Sequence, residues 1–390
     1  MTPVDPVPAY PEGAIDVASP EALASAVAAL AAAAEIAVDV EADAMHAFRA
    51  RLCFVQLGTD SQIYLLDTLV PGVRAEALAD LFADPARTKF FHAAGGDLQY
   101  LAEAGVRVRG LFDTQRAATL LGIEKIGLAD VVRAELGIEL PKEHQKSDFA
   151  LRPLDPAVRA YIADDVRYLC EVGRRLIAAC RAKDILEETL LDCERLSDEA
   201  AVRPEPGDGA PKVSSRGLSP ESWRLSQAIA RELHRLRVEW GEAHDMPVGR
   251  ILSKAAILDL AMLRPTDLGP VVSKGNLQRS FVRNYGRETL AAIRRVEEMA
   301  AKGTLPDEVA PATEPDPLRR KRDDALRAFR NAQAAKRSVT PSVVLPNPLI
   351  GDLLAAPPTS LDDLARMPYF GAKRLALYGQ AILELMRGVS

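Results

Sequence analysis

Two carboxylates leave the same side of one strand. In Glu35-Ile-Ala-Val-Asp-Val-Glu41 the apolar Ile36, Val38 and Val40 alternate with Ala37, Asp39 and Glu41, the period of two that sends successive strand side chains to opposite faces. Like charges held this close repel. A protein answers by raising the pKa of one or by binding a metal between them. The chain must therefore bury one face of this strand and bring to the other face something that tolerates two acids. An all-carboxylate site suits hard, oxygen-seeking Mg²⁺ or Mn²⁺.

Two other segments supply further acids. Asp97 follows the apolar run Lys89 to Ala94 and the pair Gly95-Gly96. That pattern predicts a strand-turn-helix corner with the helix beginning near Leu98, where glycine allows close backbone approach. Residues from Asp155 to about Arg175 read as a helix in which Tyr161 and Asp165, four apart, share a face. Asp164 points about 100° away and reads as a solvated neighbour.

These motifs, in this order, resemble the DEDD 3′-to-5′ exonucleases of the subtype with a tyrosine in the third motif, over residues about 20 to 180. Asp39 and Glu41 match the Asp-x-Glu motif, Asp97 the second motif, and Tyr161 with Asp165 the Tyr-x-x-x-Asp motif. The runs LCFVQLGT (52–59), LFDTQRAATLLG (111–122) and KSDFALRPL (146–154) agree as well. Two departures stand out: Phe149 where the family more often has Trp, and glycines before Asp97 where polar residues are common. The resemblance implies catalysis by two divalent ions, Mg²⁺ or Mn²⁺, roughly 3.5 to 4 Å apart. Asp39, Glu41, Asp97 and Asp165 would be their ligands, with Asp39 bridging both. Tyr161 would orient the attacking water, since a tyrosine pKa of about 10 makes a poor base. The product would be a nucleoside 5′-monophosphate from a 3′ end.

Other polar residues near these motifs take structural readings. Asp43 reads as a loop or cap residue, His92 as a hydrogen-bonded structural histidine, and Asp113 as the cap of a helix near Gln115 to Gly122. Lys142, Lys146 and Arg152 lie before the third motif, where cations can meet phosphates.

At 390 residues the chain exceeds one ordinary domain, and 48% apolar content supplies several cores. Cys53, Cys170, Cys180 and Cys193 lack Cys-x-x-Cys spacing, which argues for reduced thiols rather than zinc or a disulfide framework. The first residues lack the basic start and apolar run of a signal peptide, and Ala22 to Ala34 reads as a short helix rather than a membrane span. The expectation is a soluble, cytoplasmic monomer. Residues 1–200 hold 20 Lys/Arg against 33 Asp/Glu, and the remainder 29 against 22. An acidic catalytic half joined to a basic half suits a polyanionic substrate.

Pro- and Gly-rich breaks at 201–219 and 303–317 divide the chain. The segments after them repeat each other at an offset of 93. Leu252 matches Leu345, Ile257 matches Ile350, Leu268 matches Leu361, and Tyr285-Gly286 matches Tyr378-Gly379. Each copy reads as a long helix, a middle helical stretch, a Pro-Thr turn and a final helix after Tyr-Gly. This pattern resembles the HRDC domain of RecQ-type helicases. Tandem copies behind such a nuclease are the arrangement of bacterial RNA-trimming members of the family, which implies RNA with a free 3′ end, tRNA precursors among it.

In the first copy Arg283 and Arg287, four apart, are candidate RNA contacts. In the second, Lys373 and Arg374 follow a hairpin turn able to grip a phosphate, and loss of residues 301–390 is expected to weaken RNA binding. The expected architecture is a ribonuclease H-like α/β exonuclease domain (1–205), a mixed central sheet flanked by helices, followed by two all-α HRDC domains (215–302 and 316–390). Two rival readings are a DNA-directed 3′-to-5′ exonuclease and a non-catalytic RNA-binding protein.

Overall fold

The computed structural model describes residues 10–141, 143–200, 209–273, 277–307 and 316–388. Six strands, β1 (Ala14–Val17), β2 (Glu35–Ala42), β3 (Leu52–Gly58), β4 (Ile63–Asp67), β5 (Thr88–Phe91) and β6 (Leu111–Asp113), form one sheet in the order β1-β4-β3-β2-β5-β6. Only β3 runs against its neighbours. Strands expected from the sequence at Glu35–Glu41, Leu52–Gly58, Gln62–Asp67 and Lys89–His92 are present within a residue of those limits. The short edge strands β1 and β6 were not foreseen, because runs of four and three residues carry little periodicity.

Eight helices accompany the sheet: α1 (Pro20–Leu30), α2 (Ala79–Ala83), α3 (Gly95–Glu103), α4 (Thr114–Leu121), α5 (Leu128–Leu136), α6 (Pro156–Arg167), α7 (Leu169–Ala182) and α8 (Leu186–Asp198). The alternation of β2 divides them into two layers. Ile36, Val38 and Val40 join a core with Leu23 and Leu30 of α1 and Leu98 and Leu101 of α3. Ala37 faces the other core, with Ile162 and Val166 of α6 and Leu176 of α7. The single helix expected from Asp155 to Arg175 is two helices, broken at Tyr168 (φ −107°, ψ −4°), whose ring meets Tyr10 edge-on at 4.6 Å.

Glycines set how closely helices approach the sheet. A Cβ on Gly173 of α7 would sit 2.2 Å from the Phe90 ring, and one on Gly58 of β3 would sit 2.8 Å from the Val166 carbonyl of α6. Contacts that close are possible only without a side chain.

Two helical modules follow. The first comprises α9 (Pro220–Ala243), α10 (Val248–Ile251), α11 (Lys254–Leu263), α12 (Gly269–Ser273) and α13 (Arg279–Ala301). The second comprises α14 (Pro317–Arg337), α15 (Pro341–Val344), α16 (Asn347–Ala355), α17 (Leu361–Arg366) and α18 (Ala372–Gly388). The expected breaks lie partly outside the described residues, at 201–208 and 308–315. The final helix of each copy begins before Tyr-Gly rather than after it, so Tyr285-Gly286 and Tyr378-Gly379 lie inside α13 and α18.

Contacts repeat at the 93-residue offset along with residues. A Cβ on Gly286 would lie 3.2 Å from Leu268, and one on Gly379 would lie 2.9 Å from Leu361. Arg237 of α9 donates to the Leu252 carbonyl at 3.0 Å, and Arg330 of α14 donates to the Leu345 carbonyl at 3.3 Å.

The chain separates into two compact units. One holds the sheet, α1–α8 and the second helical module; the other holds the first helical module and the loop Asp43–Arg51. Within the latter, the Phe48 N–H donates to Asp245 at 3.0 Å, and the Phe48 ring approaches the Gly241 backbone. Within the former, α8 is the seat of the second module. Fully buried Glu188 accepts from Arg337 at 3.1 Å and Lys373 at 3.3 Å. Thr340 donates to the Leu120 carbonyl at 3.1 Å, and Val343 joins the core beneath α6 and α7. All four cysteines are buried, and none forms a disulfide. No helix among the described residues is long and apolar enough to cross a membrane.

Removing Glu188 would strip the buried carboxylate from two mostly buried cations, Arg337 and Lys373, leaving Lys373 with the exposed Asp184. Such a loss costs about 3 kcal/mol. Glu188→Ala should therefore lower the urea midpoint correspondingly, and a loss below about 1 kcal/mol would mean the pair contributes no more than a surface bridge.

Candidate active site

Strand β2 lies inside the sheet, between antiparallel β3 and parallel β5. It carries Asp39 and Glu41 to its C-terminal end, where the β2–β3 register shifts between Glu41 and Ala42. An irregularity of that kind re-aims a side chain at a strand end. Asp155 accepts from the Ala157 N–H as the cap of α6, and Arg159 ties this helix to Asp16 and to the Ala14 carbonyl of β1. One turn later Tyr161 and Asp165 face the same sheet end. Asp164 turns away and pairs with Arg167 at 2.6 Å.

Carboxylate oxygens of Asp39, Glu41 and Asp165 come within 4.8 Å of one another. Asp97 stands close enough that its charge acts on Glu41, while Asp39 and Asp165 act on it. Burial is the largest influence on all four acids, and for Glu41, Asp97 and Asp165 acidic neighbours add to it. Asp39 is pushed up to about 7 and Glu41 to about 10; Asp97 and Asp165 lie well above the usual carboxylate range. Burial, acidic neighbours and hydrogen bonds set these shifts, and no cationic side chain offsets them. The donor set is four carboxyl groups, all oxygen donors, and so fits a hard divalent cation. Tyr161 is raised by burial first and then by Asp165, Glu41 and Asp39, with a Gln145 hydrogen bond opposing. Its hydroxyl stays protonated at working pH.

The second-motif corner differs in detail from expectation. Helix α3 begins at Gly95, so Asp97 lies in its first turn, where the helix dipole favours a carboxylate. The left-handed residue is Ala93 (φ 62°), and a Cβ on Gly95 or Gly96 would meet nothing within 4 Å. The corner is held by Asp113. It caps α4 through the N–H groups of Gln115 and Arg116, as the sequence implied, and also accepts from those of Ala93 at 3.2 Å and Ala94 at 2.9 Å. This second role was missed, since only the partner across the sheet reveals it. His92 contacts Thr114 at 2.8 Å, and Thr114 donates to the Phe91 carbonyl, a structural role. Asp43 is a loop residue that binds Arg51 through its backbone N–H and its guanidinium.

The basic candidates divide. Lys142 lies outside the described residues. Lys146 is exposed, as are Arg283 and Arg287 on α13. Arg152 is committed to Asp67 through two bonds, at 2.6 and 2.7 Å, and lies over the Phe54 ring. Arg374 is 2% exposed and donates to the carbonyls of Val343, Val344, Tyr369 and Phe370. Lys373 pairs with Asp184 and Glu188. These last two cations build the second module and its seat, which corrects their reading as phosphate grips. A sequence shows charge but not that four carbonyls have already claimed it.

One functional candidate escaped notice inside LCFVQLGT. Gln56 pairs in register with Asp39 and is fully buried. Residues 15–178 match the 3′-5′ exonuclease family, and residues 226–293 and 320–386 each match the HRDC domain. The chain is similar to Ribonuclease D of Acidiphilium cryptum, at 30% identity over 98% of this chain and 95% of that one. It is also similar to Ribonuclease D of Pseudomonas paraeruginosa, at 29% over 90% and 92%. The solved structure of Escherichia coli RNase D shares its fold, with a TM-score of 0.67 over 96% of this chain and 99% of that one at 23% identity. By an identity of 30% sustained almost end to end, the chain belongs to the ribonuclease D family of 3′-to-5′ exoribonucleases.

Proposed function

We propose that this enzyme shortens RNA from the 3′ end by hydrolysis at the Asp39, Glu41, Asp97 and Asp165 cluster with two bound divalent cations, Mg²⁺ or Mn²⁺. The observation that carries this reading is the convergence of three carboxylates within 4.8 Å without a counter-charge. When bound, such cations supply activation of water and stabilisation of the leaving 3′ oxygen. The chain's own residues do the rest. Asp39 and Glu41, fixed on one strand face, and Asp165 from α6 hold the donor oxygens in place, and Asp97 completes the set from the first turn of α3. The protonated Tyr161 hydroxyl orients the attacking water rather than removing its proton. Nucleoside 5′-monophosphates leave one at a time.

The RNA would carry a free 3′ end, tRNA precursors among the candidates, in the cytoplasm and with the enzyme as a monomer. Residues 1–205, 215–302 and 316–390 are the proposed catalytic, first HRDC and second HRDC modules. Arg283, Arg287 and Lys146 remain as phosphate contacts. Truncation after residue 300 is a poor test of RNA binding, since it would also strip Val343 from the catalytic core.

The direct test compares 5′-labelled RNA with the same sequence in DNA, with Mg²⁺, Mn²⁺ or chelator, for wild type and Asp39→Asn. A ladder shortening from the 3′ end of RNA, abolished by chelator and reduced at least about 1,000-fold in the variant, is expected. Equal or faster cleavage of DNA would favour the DNA-directed reading. The metal-free Asp39→Asn protein should melt about 2–4 °C higher than wild type at pH 8, because the buried Asp39 charge is gone.

The sign of the pH dependence follows from the raised acids. Unfolded, Asp39 and Glu41 release their protons near pH 4; folded without metal they keep them to about 7 and about 10. The folded chain therefore holds more protons across that window. Metal-free stability falls as pH rises through it. Cations displace those protons, so Mn²⁺ should raise the Tm more at pH 8 than at pH 5.5; equal shifts at the two pH values would contradict the assignment.

For the RNA contacts, Arg283→Ala/Arg287→Ala should weaken binding and flatten the slope of log K against log salt by about 1.4, two single-strand phosphates' worth. An unchanged slope would remove both residues from the interface.

A further inference from the structure

Gln56 is a polar residue in a place where the fold has no use for one. Its side chain is fully buried, and neither Oε1 nor Nε2 has a hydrogen-bond partner. An unpaired buried amide is destabilising, and a methionine of similar size would fill the same space without that cost. The surroundings are apolar on three sides. Phe54 and Gly58 flank it on the same face of β3, and its register partner on β4 is Leu65, 1% exposed. Above this face lies α6, close enough that the Val166 carbonyl fills the space beside Gly58. The fourth side is Asp39, the register partner on β2. Directly opposed residues of an antiparallel pair share a face with their Cβ atoms about 4.5–5.5 Å apart, within reach of a glutamine amide.

We propose that Gln56 is a positioning residue for the metal site, its Nε2 donating to the Asp39 carboxylate when that carboxylate holds a divalent cation. This inference rests on the two-cation reading above. A hydrogen bond with the Val40 backbone opposes the rise in the Asp39 pKa. A side-chain donor on the β3 side would fix the rotation of the carboxylate, so that its oxygens face Glu41 and Asp165 rather than the sheet. Partners of this kind, one step behind the ligands, typically change metal affinity 10- to 100-fold when lost.

The test is calorimetric titration of Mn²⁺ into metal-free wild type, Gln56→Met and Asp39→Asn, with a thermal melt of each protein before metal is added. The expected result is a dissociation constant raised about 10-fold in Gln56→Met together with a metal-free Tm at or above that of wild type. Gln56→Asn, with the amide one methylene shorter, should recover part of the affinity. Should the methionine variant fail to fold, Gln56→Leu takes its place. Equal Mn²⁺ affinity in wild type and Gln56→Met overturns the proposal, as does a variant that loses stability and affinity together, since that amide would be serving the fold. If wild type itself takes up no Mn²⁺, the two-cation reading fails instead.

Discussion

The catalytic half of this protein is organised around a repulsion. Asp39, Glu41 and Asp165 crowd together with Asp97 beside them, and burial first, then their charges on one another, pushes their pKa values up. A chain free to relax would spread them apart. The sheet prevents this, because Asp39 and Glu41 share a strand paired on both sides. So do Gly58, which lets α6 lie close to the sheet, and Asp113, which pins the corner leading to Asp97. An arrangement that stores electrostatic tension without a cation is one that a cation can relieve, so ligand binding and folding are thermodynamically linked.

Sequence legibility followed the range of the interactions. The two acids of β2 share a face through its alternation, and Tyr161 with Asp165 through the helical period, both local rules. The 93-residue repeat was readable because core Leu, Ile and Gly positions recur in register, and the structure adds the reason for Tyr-Gly: each glycine lets a leucine of the same copy approach the final helix. What could not be read depends on partners far along the chain. The break at Tyr168 occurs where its ring packs on Tyr10. The pairing of Gln56 with Asp39 depends on how the nine residues Asp43–Arg51 return the chain, and no local pattern states that.

The two HRDC copies show how a shared scaffold diverges. Arg237 and Arg330 make the same carbonyl contact, and Leu233 and Leu326 are both fully buried at the same offset. Where the first copy has Phe281, packed against Trp240 and Tyr285, the second has Arg374, wrapped by backbone carbonyls. A buried ring and a buried cation solve the same packing position by different physics. The first uses apolar area. The second uses hydrogen bonds that satisfy a charge and fix the turn carrying Tyr369 and Phe370.

The seating of the second copy on α8 has a consequence for protein engineering. Arg337 and Lys373 are completed by Glu188, and Val343 by the catalytic core, so residues 316–390 are not a cassette to be transplanted behind another nuclease. Carried into a chimaera, the segment would bring two cations and an apolar side chain whose complements stayed in the donor. A transplant that respects these contacts would have to move α8 with it, and with α8 part of the wall of the catalytic domain.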